Sequence, residues 1–103
     1  MALAACASWV VGGCLSPTLP LPPPGPPDEV TATETEGVYL VKGTVTPDSR
    51  AMIMNTATDR FWGQQTRSDG RYEIFVEGSP GDTMLVFYVL GAEESGSADF
   101  RLP

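Results

Sequence analysis

TRSDGRYEIFV, residues 66–76, is the stretch that decides the fold, because it holds a strand end, a tight turn and a second strand. The pair Asp69-Gly70 predicts the turn, since glycine accepts a positive φ and aspartate tolerates one. After the turn the side chains alternate, so that one face carries Tyr72, Ile74 and Val76 and the other carries Arg71, Glu73 and Glu77. The stretch therefore predicts a β-hairpin with one buried face.

Further strands are predicted on both sides of this hairpin. Short runs that alternate or are rich in β-branched residues, separated by turn residues, predict strands at 38–46, 51–56, 60–67, 71–77, 83–90 and 97–102, with 30–35 as a first strand or an extended lead-in. Residues 83–90 are apolar on both faces, which is typical of a central strand. In 51–56 the inner face is either Ala51 and Ile53 or Met52 and Met54. The pattern predicts an all-β protein, with a small antiparallel β-sandwich over residues 30–103.

Composition restricts the chemistry that the chain can perform. The formal net charge is −7, from thirteen acidic and six basic residues, so a nucleic acid is not an expected partner. There is no histidine, and both cysteines lie within the first fourteen residues. The adjacent acids Glu93 and Glu94 are typical of a solvated loop, and Asp48, Asp59 and Asp69 lie at predicted turns without calcium-loop spacing. We therefore predict no enzyme, no bound metal and no cofactor.

The N-terminal segment, MALAACASWVVGGC, contains a short apolar run. The run is too short to span a bilayer, which needs about 20 residues, but it has the length of a signal-peptide core. Its end, Val11-Gly12-Gly13-Cys14, resembles the bacterial lipobox, so residues 1–13 are predicted to be a lipoprotein signal segment and Cys14 the lipidated residue. No Lys or Arg precedes the run. The alternative interpretation is a short apolar segment belonging to a domain.

Residues 14–29 are predicted to form a linker. Seven of the ten prolines lie between positions 17 and 27, which favours polyproline II and leaves few backbone donors for helix or sheet. Residues 17–27 in that form would span roughly 34 Å at about 3.1 Å per residue. We interpret the segment as a spacer that holds a domain away from a membrane, and a ligand for a proline-binding module is the alternative.

Three pieces of the chain resemble one family in their order and spacing. They are residues 41–45 (VKGTV), 66–74 (TRSDGRYEI) and 80–86 (PGDTMLV). Together they resemble the carboxypeptidase regulatory-like domain, a transthyretin-like sandwich related in shape to immunoglobulin-like domains, over roughly residues 38–102. The short loop at 46–51 departs from the family, which often carries a longer segment there. The resemblance implies a module without catalysis of its own, acting as an adaptor or scaffold.

These features combine into one functional hypothesis. The chain is expected to be a non-catalytic lipoprotein of the bacterial cell envelope, lipid-anchored to the outer membrane and facing the periplasm or the cell surface. Its expected partner is a protein of the envelope. The alternative is a carbohydrate-binding sandwich that holds a glycan through exposed aromatic residues. For either ligand the candidate residues are Phe61, Trp62 and Phe75, and the competing interpretation places Phe61 or Trp62 in the core.

Phe75 is the most specific of these candidates. It lies between Glu73 and Glu77, on the face opposite Tyr72, Ile74 and Val76, so it is expected to be exposed. If 71–77 and 83–90 lie in one sheet, a row of the second strand would extend Phe75 into an apolar patch. Such a patch on a small domain is typical of an interface.

Overall fold

The computed structural model describes residues 21–103, and the secondary structure of this part is strand, turn and loop. Its strands are β1 (Glu29–Ala32), β2 (Val38–Thr44), β3 (Arg50–Asn55), β4 (Arg60–Gln65), β5 (Arg71–Glu77), β6 (Thr83–Leu90), β7 (Glu93–Glu94) and β8 (Ala98–Arg101). β5 and β6 have the bounds that the sequence predicts. The two-residue strand β7 lies in a segment that was expected to be only a polar turn.

The described strands form two antiparallel sheets. The three-stranded sheet has the order β1-β2-β5. In the five-stranded sheet the order is β4-β3-β6-β7, and β8 also pairs with β6. β6 therefore has partners on both sides, as expected of a central strand. The prediction of an all-β antiparallel sandwich is confirmed.

The core fills the space between the two sheets. Ala51 and Ile53 are fully buried, whereas Met52 and Met54 are half-buried on the outside of the five-stranded sheet. This decides which face of β3 points inward. The buried apolar side chains from both sheets and their connections are Tyr39, Val41, Val45, Ala51, Ile53, Tyr72, Ile74, Val76, Met84, Val86, Tyr88 and Leu102.

The predicted hairpin around Asp69-Gly70 is wrong, because the strands on its two sides belong to different sheets. β4 pairs with β3, and β5 pairs with β2. The backbone N–H of Thr66 still donates to the Ser49 carbonyl, 2.8 Å, whereas the N–H of Val45 donates to the Gly70 carbonyl, 2.9 Å. The chain thus crosses from one sheet to the other between Thr66 and Gly70. A local turn signal specifies the bend but not the strand that each arm pairs with.

The described end of the predicted linker lies against the sandwich. Leu21 packs against the core cluster, and the Tyr88 hydroxyl donates to the Pro22 carbonyl at 2.9 Å. Further along, the Asp28 N–H donates to the Lys42 carbonyl at 2.8 Å. Residues 21–28 therefore run across the domain and contact it at both ends.

Two of the sequence predictions concern residues outside the described part. The signal segment 1–13 and the lipidation site Cys14 both precede residue 21. Within residues 21–103, none of the chain forms a helix with the length and apolar character needed to cross a bilayer.

Candidate functional site

Asp69 and Gly70 form the predicted tight turn, now as a connection between sheets. Gly70 has a φ of +71°, and its N–H donates to the Arg67 carbonyl at 3.0 Å. The Asp69 carboxylate accepts the N–H of Arg71 at 3.1 Å. A Cβ added to Gly70 would overlap the carbonyl oxygen of Val45. The turn requires glycine at this position for two independent reasons, backbone conformation and lack of space.

The two sheets meet along the edges of β4 and β5, where side chains bridge the gap. The Gln64 amide accepts the N–H of Glu73 at 2.8 Å and donates to the Glu73 carbonyl at 3.2 Å. Arg60 forms an ion pair with Glu77 at 2.7 Å, and its guanidinium lies 5.9 Å from the centre of the Trp62 ring. We call these side-chain contacts between β4 and β5 the seam. They connect the two strands of the predicted hairpin, which share no backbone hydrogen bonds as a strand pair.

Phe75 lies on the outer face of the three-stranded sheet, as the alternation predicts. Its side chain is 61% exposed. It stands directly opposite Leu40 on β2, and Leu40 and Val38 are both half-buried. We call these three residues the Phe75 patch. Charged groups of both signs border it, since Glu73 and Glu77 flank Phe75 on its own strand, Lys42 stands opposite Glu73 and Arg60 pairs with Glu77.

The patch differs from the one expected from sequence. β6 lies in the other sheet, so none of its rows can continue the surface around Phe75. The apolar neighbours come from β2 instead, because Leu40 and Val38 face outward on the strand that pairs with β5.

The other two candidate aromatics lie elsewhere. Phe61 is 55% exposed and belongs to the outer face of the five-stranded sheet, where it stands opposite Met54. Trp62 is half-buried and packs against the core cluster. The structure therefore does not bring Phe61, Trp62 and Phe75 together into one site.

A polar depression of about 470 Å³ opens beside the seam. Tyr72 forms part of its wall, and the other lining residues are Gln64, Gln65, Arg67, Asp69, Arg71 and Glu73. A smaller one of about 190 Å³ shares Arg71, Tyr72 and Glu73 with it. None of the three candidate aromatics lines either depression. A glycan bound there would have hydrogen-bonding groups but no stacking platform from these residues.

Tyr72 separates these depressions from the core. Its side chain is 2% exposed, and its ring lies against Gly43, where a Cβ would approach the ring carbon Cζ to 2.7 Å. Burial, followed by the nearby charge of Asp28, raises the pKa of Tyr72 to about 12. The phenol is therefore neutral at physiological pH. Gly43, in the first of the three family-like pieces, has the structural role of making room for this ring.

A buried polar cluster was missed by the reasoning from sequence. Asn55 is fully buried, and its side-chain amide donates to the Glu77 carbonyl at 3.1 Å and to the Asp82 carboxylate at 3.0 Å. Asp82 also accepts the N–H of Ser79 at 2.9 Å. This bond, and then the one from Asn55, lowers the pKa of Asp82. Period two puts Asn55 on the same face as Ala51 and Ile53, but the sequence does not decide whether that face points inward.

This cluster has a structural role, because its contacts hold three segments of the chain together. It joins β3, the end of β5 and the loop 78–82, and a Cβ on Gly78 would approach the Asn55 amide nitrogen to 2.7 Å. Among residues 21–103, no three His, Cys, Asp or Glu side chains are grouped so that they could hold a metal ion. On the three-stranded sheet and beside the seam, the candidate binding features are therefore the apolar Phe75 patch and the polar depressions.

Comparison with protein-family models, with curated proteins and with solved structures gives no match for this chain.

Proposed function

We propose that this chain is a non-catalytic lipoprotein of the bacterial cell envelope, which binds or braces another envelope protein. Lipid on Cys14 would anchor it to the outer membrane, facing the periplasm or the cell surface. The sandwich would then act as a binding module of the carboxypeptidase regulatory-like kind. The sequence support is the lipobox-like ending Val11-Gly12-Gly13-Cys14 and the proline-rich segment after it.

The Phe75 patch is the observation that carries the binding proposal. Phe75 is the most exposed large apolar side chain of the described residues, at 61%, and two further apolar side chains adjoin it on β2. An exposed aromatic with apolar neighbours and a polar rim is typical of a protein-binding surface. Glu73 and Glu77 border it, but Lys42 stands opposite Glu73 and Arg60 pairs with Glu77, so the complementary partner has an apolar centre and a polar rim of mixed charge.

Crosslinking and pulldown from bacterial membranes, with the full chain as bait, test this proposal. Phe75→Ala is expected to weaken recovery of the specific partner by roughly 5- to 30-fold, which corresponds to about 1–2 kcal/mol for an interface anchor. Leu90→Ala is the control, since Leu90 is also exposed, at 38%, but lies at the end of β6 in the other sheet. Equal recovery with both variants would overturn the assignment of the patch.

The anchor has its own test. Intact mass spectrometry of the protein from membranes should show loss of residues 1–13 and acyl groups on Cys14. Cys14→Ser should abolish this modification, and Cys6→Ser, the other cysteine in the chain, serves as the control for an altered thiol. A retained N-terminus with an unmodified Cys14 would overturn the anchor and the localisation together.

Carbohydrate binding is the second candidate function, and the depression beside the seam favours it. Its wall carries amide, guanidinium and carboxylate groups, which are suited to sugar hydroxyls. A glycan array with the full chain separates the two functions. Binding that is lost on Arg71→Ala but unchanged by Phe75→Ala would support the glycan and contradict the protein partner at Phe75.

A further inference from the structure

The outer face of the five-stranded sheet is a second, larger apolar surface. The pairing registers place its side chains in two adjacent rows. One row contains Phe61, Met54 and Leu85, and the next contains Gly63, Met52 and Phe87. Phe61 is 55% exposed, and the four side chains on β3 and β6 are half-buried. We call these two rows the β3–β6 face.

The charges around the β3–β6 face balance, although the chain is strongly acidic. Arg50 and Glu94 border it on one side, at the level of Val89. Asp99 and Arg101 border it on the side of β8. Two positive and two negative groups leave this face neutral, while the whole chain carries −7. Two copies of the chain repel each other less here than on surfaces where the acidic excess lies.

The arrangement of the rows is self-complementary. A two-fold axis that lies between two facing copies, perpendicular to the strands, exchanges the Phe61 row with the Gly63 row. Phe61 then stands over Gly63 of the second copy, a position without a side chain, and Leu85 stands over Phe87. The same operation places Arg101 over Glu94, because these residues flank β6 on the same side at its two ends. A closed two-fold contact needs this reciprocal matching.

We propose that two copies of this chain associate face to face through the β3–β6 face, in the two-fold arrangement just described. Sheets pack about 10 Å apart through apolar side chains, which suits two such faces. Together with the charged positions that border it, the face covers four strands about 4.8 Å apart and four residue rows about 7 Å apart, which gives roughly 500 Å² per copy. The total, about 1,000 Å², is at the lower end for specific interfaces, so the dimer is weak. This inference does not depend on the proposed partner, because Phe75 lies on the other sheet.

Sedimentation equilibrium of the full chain over a range of concentrations tests the dimer. The wild type should show a reversible monomer–dimer equilibrium. Phe87→Glu should raise the dimer dissociation constant at least tenfold, because it places a charge in the apolar centre. Phe75→Glu makes the same change on the other sheet and should leave the constant unchanged. A wild type that is monomeric at all concentrations would overturn the proposal, and it is the result expected if residues 1–20 of the same chain cover the face.

Charge reversal provides a test that does not disturb the apolar rows. Glu94 and Arg101 are exposed, so changing them leaves the core intact. Glu94→Arg and Arg101→Glu should each weaken the dimer severalfold, and the double variant should restore it, because the reversed pair matches again across the axis. Failure of the double variant to restore association would overturn the arrangement, and an unchanged constant in both single variants would do the same.

Discussion

The side chain of Gln64 forms two hydrogen bonds with the backbone of Glu73, one to its N–H at 2.8 Å and one to its carbonyl at 3.2 Å. These are the two bonds that a neighbouring strand would supply to an edge strand. β5 is the edge of its sheet, and an uncovered edge can pair with another chain. Gln64 therefore protects this edge and joins the two sheets at the same point.

Replacing Gln64 by methionine should destabilise the domain by about 1–3 kcal/mol, because two hydrogen bonds are lost and each contributes about 0.5–1.5 kcal/mol net. Methionine keeps the length of the side chain and removes the amide. Arg60→Met is the comparison, since the Arg60–Glu77 pair also bridges the seam but both side chains are more than half exposed, and such pairs contribute little. Urea unfolding measures both variants. A larger loss for Arg60→Met would show that the ion pair, and not the amide, holds the seam.

Gly70→Ala should cost more than the roughly 1 kcal/mol that a positive φ alone costs a residue with a Cβ. The added methyl would overlap the Val45 carbonyl oxygen, so backbone must move as well. Gly91 is a matched control, because its φ is +64° and nothing lies within 4 Å of an added Cβ. The melting temperatures of Gly70→Ala and Gly91→Ala separate the cost of the positive φ, which both variants have, from the cost of the contact with Val45, which only Gly70→Ala has. Equal losses would mean that the contact with Val45 does not matter.

Asp82 should make the domain less stable in acid. Its pKa is lowered in the folded state, by the Ser79 N–H first and Asn55 second, so the folded protein binds fewer protons than the unfolded chain. The stabilisation is present above the unfolded pKa of about 3.9 and disappears as pH falls through the folded value. Urea midpoints between pH 7 and pH 3 should fall less for Asp82→Asn than for the wild type. An equal fall in the two proteins would contradict this role of Asp82.

Tyr72 should resist ionisation at high pH. Burial raises its pKa to about 12, so the folded protein keeps this proton longer than the unfolded chain does. Its contribution to stability is complete below pH 10 and is lost as pH rises through about 12. The ultraviolet absorbance of phenolate, compared between wild type and Tyr72→Phe, isolates this residue. A difference spectrum that appears near pH 10 in the folded protein would contradict the burial of its hydroxyl.

Much of the sandwich could be predicted because period two is a local property. The bounds of β5 and the outward position of Phe75 follow from alternation, and those of β6 follow from its continuous apolar run. The hairpin was wrong because pairing is not local. Thr66 and Gly70 form their bonds with Ser49 and Val45, and nothing within residues 66–76 indicates that these partners belong to different sheets.

The candidate site could be predicted only in part, because alternation is local and strand pairing is not. Alternation identified Phe75, but the identity of its neighbours depends on sheet order, so Leu40 was missed. For β3, alternation leaves two solutions, because Ala51 and Ile53 on one face and Met52 and Met54 on the other are all apolar. Only packing against the three-stranded sheet decides between them. The burial of Asn55 was missed for the same reason, since it follows only when Ala51 and Ile53 are known to face inward.

Leu21 and Pro22 dock against Gly96 and Tyr88, which would shorten the linker between the proposed lipid anchor and the domain. A lipid on Cys14 would be separated from the first docked residue by residues 15–20 only. Fully extended, these six residues reach at most about 20 Å, well short of the spacer length that the proline content suggests. A linker this short would restrict rotation of the domain relative to the membrane. The end of the sandwich at Gly96 would therefore stay close to the bilayer. Any partner that binds this end of the domain would then have to lie close to the bilayer as well.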